Sequence, residues 1–233
     1  TDGRRPVRSS PVGAGPTAAA VAAAAVVAVV LGALLFWSLQ PSGDPFPSDF
    51  GTRPRAQVPT AEHDGGRGEA EGPSGPAPEP TALRVPRVSL DARVLSVGIK
   101  DDDTVEVPSN AGQAGWYRYG PAPGARTGSA VLIGHVDDRT GSLGAFAKLY
   151  KVRKGDAVTV ARQEAPPVQY EVKAREVVDR DHLPEEVFRR HGRPVLTLIT
   201  CAPPYDPERG GYQRNLVVYA VPTQEPDPAP GPP

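Results

Sequence analysis

The chain has 233 residues, a formal net charge of -1 and a single cysteine. Near-neutral charge argues against nucleic-acid binding, a lone cysteine excludes an internal disulfide, and the length allows one or two domains. The 29 prolines and 25 glycines concentrate in the first third and at the C-terminal end, so the ordered part is expected to be much shorter than the chain.

Residues 1–17 set Arg4, Arg5 and Arg8 against Asp2 among small and turn-forming residues, and are read as a disordered cytoplasmic N-terminus. Residues 18–39 then run without a charge. A helix of that length spans about 33 Å, enough for the hydrocarbon core of a bilayer. Phe36 and Trp37 lie near its outer end, and the arginines before it place the rest of the chain outside the cell. A cleavable signal peptide is the rival reading. The run is longer than a signal peptide's apolar region, and Ser38-Leu39-Gln40-Pro41 is a poor cleavage site, which favours an uncleaved anchor.

Residues 40–80 are rich in Pro and Gly, with Val58 the only aliphatic residue beyond alanine. Such a segment buries too little apolar surface to offset its ordering entropy and is expected to be a linker. The tail 223–233 has the same character. A chain starting near Thr81 is therefore expected to carry the whole catalytic unit.

The folded part is expected at 81–222. Short apolar runs recur through it: 83–90, 92–99, 104–107, 129–134, 156–162, 168–178, 195–201 and 215–221. Several alternate with period two, and turn residues separate them, which argues for an all-β barrel or sandwich. Two short helices are expected, at 144–150 and at 183–191, the second with Asp181 as a plausible N-cap. The run Asp101-Asp102-Asp103 is read as a polar turn rather than a Ca²⁺ site. No metal and no cofactor are expected.

Pro194 opens the run Val195-Leu196-Thr197-Leu198-Ile199-Thr200-Cys201, and Ala202-Pro203-Pro204 is expected to stop it at once. A thiol delivered by a rigid strand to a loop is a candidate nucleophile; a buried cysteine that fills a core is the alternative. Cysteines outside the cell usually pair, so a solitary one tilts the reading towards a working thiol. Of the four histidines, His63 lies in the linker, and His182 and His191 flank the second helix. His135 ends the run Ser129–Gly134 as Cys201 ends its own, so two strand ends can bring imidazole and thiol together. The alternative is a structural histidine bonded to Asp137 or Asp138. Arg214 stands 13 residues after Cys201, at the head of the last strand, where a hairpin can aim its guanidinium at a developing oxyanion. Its alternative is a surface pairing with Asp206 or Glu208, and Arg209 is a competitor within the loop.

Thr197-Leu198-Ile199-Thr200-Cys201 resembles the Thr-Leu-x-Thr-Cys signature of the sortase family, with His135 and Arg214 in the family's order. Trp116-Tyr117, Gly120-Pro121-Ala122-Pro123-Gly124 and Gly134-His135-Val136-Asp137 look most like class F sortases of actinobacteria, with class E next. The family's Asp-Asn near the last strand is replaced by Gln213-Arg214-Asn215. The resemblance implies an eight-stranded β-barrel and a cysteine transpeptidase. Cys201 would cleave the Thr–Gly bond of an LPxTG-like C-terminal sorting signal on secreted proteins, His135 would carry protons, and Arg214 would hold the oxyanion. Thr200 would line the groove, and 180–193 would form one wall. The acyl acceptor would be an amine of a cell-wall precursor or of a protein. Two other classes remain: a non-catalytic anchored surface module, and an L,D-transpeptidase-like acyltransferase, whose His and Cys usually lie close together in one motif.

Overall fold

Alternating apolar residues require a surface that is buried on one side, and a strand supplies it at period two. The computed structural model describes residues 48–55, 77–102 and 104–224. It contains eight strands: β1 (Pro80–Val85), β2 (Leu90–Val97), β3 (Ala114–Tyr117), β4 (Ser129–Gly134), β5 (Ala157–Arg162), β6 (Ala165–Asp179), β7 (Val195–Asp206) and β8 (Gly211–Pro222). They close in the order β1-β2-β3-β4-β7-β8-β6-β5. The β2–β3 and β4–β7 pairs are parallel and the others antiparallel. The all-β, eight-stranded architecture expected from the sequence is the one observed. Closure leaves few free edges, which a strand-rich chain otherwise has to protect.

The two faces of β7 show how the pattern is used. Leu196, Leu198 and Ala202 join Leu83, Leu132, Phe146, Leu216 and Val218 in the main core. Val195 and Ile199 face the other way, in a second cluster with Val131, Val217 and Tyr219. Val187, which is buried, and the partly buried Leu183 and Phe188 pack on that second cluster. The segment 180–193 is thus seated on the outer face of β4, β7 and β8.

Several boundaries differ from expectation. β7 does not stop at Ala202; it runs on to Asp206. Proline has no N–H for a ladder, but the β7–β8 register shifts between Ala202 and Tyr205 and resumes at Tyr205↔Tyr212, so the two prolines occupy an irregular stretch that does not need those donors. β8 begins at Gly211, which makes Arg214 its fourth residue rather than its first. The helix expected at 183–191 is replaced by short 3-10 turns at Arg180–His182 and Glu185–Phe188. Pro184 lies between them and disfavours helix in the residue before it, and Asp181 falls inside the first turn instead of capping it. The other expected helix is a 3-10 turn, Ala145–Lys151. The run 104–107 contributes only the isolated bridge Ile99↔Val105. Asp102 accepts from the Thr104 N–H at 3.1 Å and hydroxyl at 2.5 Å, a polar turn as read; Asp103 lies outside the described residues.

The largest difference is at 48–55, inside the stretch read as linker. β5 pairs with β6 only as far as Glu171, so the outer edge of β6 beyond it is open. Residues 48–55 form a strap along that edge. Phe50 and Arg175 exchange both backbone hydrogen bonds, at 3.0 and 2.9 Å, and the Val177 N–H donates to Asp49 Oδ1 at 2.9 Å. Arg53 binds both carboxylate oxygens of Glu176, at 2.9 and 3.0 Å. A Cβ on Gly51 would stand 2.1 Å from the Lys173 carbonyl oxygen, and its φ is +71°, so close approach and left-handed backbone both call for glycine there. A chain cut at Thr81 loses this strap and leaves Arg175, 6% exposed, short of partners. Its thermal midpoint is expected to lie about 4–12 °C below that of a chain starting at Pro45, from about 2–3 kcal/mol at about 2–4 °C each. Circular dichroism melts of the two chains check this.

The anchor read at 18–39, the N-terminus 1–17, His63 and the tail beyond Gln224 lie outside the described residues. Among the described residues no helix is long and apolar enough to cross a membrane.

Candidate active site

β4 and β7 run in parallel with one unbroken register. Ser129 faces Val195 and Ile133 faces Ile199, a constant offset of 66 residues. The last observed pair is Ile133↔Ile199; the same offset carried two places on would set His135 opposite Cys201. Ile133 and Ile199 both belong to the outer cluster, and a step of two along a strand returns to the same face. His135 follows the end of β4 and Cys201 lies in β7, so neighbouring strands carry the two residues. Both residues are half-buried.

The backbone around His135 is fixed by two glycines. A Cβ on Gly134 would meet the Phe146 ring at 2.6 Å, and one on Gly144 would meet the His135 carbonyl oxygen at 2.3 Å. That carbonyl accepts from the Phe146 N–H at 3.2 Å. The Phe146 ring thus lies directly against the Gly134 backbone. The acids that could have made His135 a structural residue are engaged elsewhere. Asp138 accepts from the Thr140 N–H and hydroxyl and from the Ser142 N–H. Asp137 accepts from the Tyr212 hydroxyl at 2.5 Å.

Arg214 faces Ala202 on β7 and Asp179 on β6, one step from the Cys201↔Asn215 pair. Its Nε donates to the Pro203 carbonyl at 2.8 Å, which ties the guanidinium to β7 two residues after Cys201. Arg209 sits in the β7–β8 turn, its N–H on Asp206, and its carbonyl accepts from Arg180 at 3.2 Å. Thr200 does not line a groove. It is 1% exposed and faces Leu216; alternation puts it on the core side of β7 while Cys201 faces out.

Residues 83–223, more than half of the chain, match the sortase domain family. The chain belongs to the sortase family. It is a sortase-type cysteine transpeptidase. Among solved structures, this sortase is similar to the pilus-related sortase C of Group B Streptococcus, at 19% identity and a TM-score of 0.47 over 63% of this chain and 68% of that one. It is also similar to sortase C-1 from Actinomyces oris, at 22% identity and a TM-score of 0.47 over 61% and 72%. No curated protein matches the chain.

Four residues around the thiol of this sortase were not singled out from sequence as part of its site. Burial pushes the Cys201 thiol above its ordinary range, the Asp137 carboxylate adds to that, and the Arg180 guanidinium opposes it. The Tyr150 hydroxyl donates to the Cys201 carbonyl at 2.7 Å, and burial beside the thiol pushes that phenol up to about 12. Tyr212 is raised by burial and by its bond to Asp137, and its ring meets Tyr205 edge-on at 5.0 Å. Asp137 alone had a usable signal, within Gly134-His135-Val136-Asp137. Tyr150 lies in a separate 3-10 turn and Tyr212 in a hairpin whose register no local pattern reports. Because Asp137 disfavours the thiolate, Asp137→Asn is expected to move the midpoint of Cys201 alkylation by iodoacetamide to lower pH. The pH dependence of the alkylation rate, followed by mass spectrometry, reads the shift.

Proposed function

We propose that this sortase is a single-pass membrane protein whose domain works outside the cell. On this reading it cleaves an LPxTG-like sorting signal and passes the acyl group to a cell-wall or protein amine. The observation that supports the chemistry is the 66-residue register of β4 and β7, which on this reading extends to His135 and Cys201. Burial and Asp137 push the Cys201 thiol up, which favours the protonated form, so on this reading the proton leaves as the sulfur attacks. Sγ adds to the threonine carbonyl carbon while His135 takes the thiol proton. Arg214 holds the oxygen that gains charge. The C–N bond to glycine then breaks as His135 hands that proton to the departing nitrogen, leaving a thioester. An incoming amine attacks the thioester, His135 removes its proton, and the C–S bond breaks with the proton returned to sulfur.

The class F reading, with class E next, rests on the resemblance of its motif residues, and those residues pack together. The Trp116 indole N–H donates to the Pro121 carbonyl at 3.2 Å, and the Gly124 N–H donates to the Tyr170 hydroxyl at 2.8 Å. The loop Gly120–Gly124 is thereby tied to β3 and β6. The anchor is supported by the uncharged run 18–39, and the groove wall by the seating of 180–193 on β4 and β7. A peptide library carrying varied sorting signals, incubated with the full chain and an amine acceptor, tests the reading. Transfer of the acyl group to the amine with a thioester on Cys201 is the expected result. Cleavage with water as the only acceptor, or no cleavage across the library, overturns it.

A further inference from the structure

We propose that Tyr150 is a positioning residue for Cys201 and that the strap 48–55 holds it in place through Arg175. The proposal rests on the reading of Cys201 as the nucleophile. Cys201 lies two residues past the last β4–β7 pair. Beyond that point β7 keeps β8 on one side, but β4 has ended on the other. The Tyr150 hydroxyl supplies a hydrogen bond to the Cys201 carbonyl there, at 2.7 Å, where a neighbouring strand can no longer provide one. A backbone pinned on both sides fixes the direction in which Sγ leaves it.

Tyr150 is itself held from behind. Arg175 Nη1 donates to the Tyr150 carbonyl at 2.8 Å and to the Val152 carbonyl at 3.1 Å, gripping the end of the turn Ala145–Lys151. Nη2 donates to the Ser48 carbonyl at 2.6 Å, and the Phe50 ring stacks on the guanidinium at 4.9 Å. Arg175 is a buried cation on β6 whose hydrogen bonds go to carbonyls, and two of its supports come from the strap. An unbroken chain of contacts thus runs from Ser48 and Phe50 through Arg175 and Tyr150 to the backbone of the nucleophile. The ring of Tyr150 also packs on the main core, so removing the hydroxyl alone leaves the packing intact.

The test uses the full chain in detergent, with Tyr150→Phe, Phe50→Ala, the double variant and a Cys201→Ala control. Tyr150→Phe is expected to lower kcat about five- to tenfold, the effect of one hydrogen bond, with KM within about twofold and a thermal midpoint lowered by at most about 6 °C, so that the barrel stays folded at the assay temperature. Phe50→Ala is expected to lower kcat in the same direction. The double variant should fall little below the lower single, because both act along one path. A normal kcat in Tyr150→Phe, or a double variant whose losses simply multiply, overturns the proposal. Activity surviving in Cys201→Ala would instead show that the nucleophile was misassigned.

Discussion

Cys201→Ala is expected to abolish acyl-enzyme formation, since the chain holds no other thiol. His135→Ala should come close to it. Burial and Asp137 push the Cys201 thiol up, so on the proposed mechanism attack calls for a proton acceptor, and the same group then protonates the leaving amine. Removing a general acid–base typically costs about 10²–10⁴ in rate. Here both halves of the reaction depend on it, so the larger end is expected. Single-turnover assays with mass detection of the thioester separate the two variants from each other. Cys201→Ala should form none, and His135→Ala should form it slowly. Neither change enlarges a side chain or reaches into the main core, so circular dichroism should show a folded barrel in both. Full activity in His135→Ala would mean that proton transfer runs through another group.

Arg214→Lys is the second large effect. Lysine keeps the charge but loses the planar fork that can grip a carbonyl while still bonding Pro203. Loss of one oxyanion-type donor costs about 10²–10³ in kcat. Arg209→Lys should be nearly normal, because Arg209 serves its turn through backbone groups. Arg180 makes the comparison sharper. It is the guanidinium that pulls the Cys201 thiol down, and its side chain is tied to the Arg209 carbonyl. Arg180→Lys preserves that charge, so its loss should be small. Steady-state kinetics of the three variants on one peptide decide the assignment: a deep loss in Arg180→Lys with Arg214→Lys near normal would move the oxyanion role to the segment before β7.

Period-two alternation made the barrel legible, and the apolar runs that lead to His135 and Cys201 are two of its strands, β4 and β7. Both signals are local, and each strand carries its own. What the sequence hid was non-local. Proline at 203–204 stops a strand in isolation, yet a register shift against β8 lets β7 pass. Thr200 beside Cys201 reads as a neighbour in the groove, yet adjacent strand residues face opposite ways. The expected helix at 183–191 has the right composition, yet only the 3-10 turn Glu185–Phe188 forms there. Residues 48–55 sit among prolines and glycines, where composition argues for disorder. Their order comes from an open edge of β6, more than 100 residues away, which leaves no mark near Phe50.

That docked strap changes what a protease can do to the molecule. If 56–79 were the end of a plain tether, one cut in it would shed the catalytic domain from whatever lies N-terminal. With Ser48–Arg55 laid along β6 and Pro80 opening β1, both sides of such a cut remain bound to the same barrel. Two backbone hydrogen bonds, the Arg53–Glu176 ion pair and the stacked Phe50 hold the upstream fragment after the peptide bond is gone. A nicked molecule would migrate as two bands under denaturing conditions and as one in native ones, so cleavage seen on a denaturing gel need not mean release.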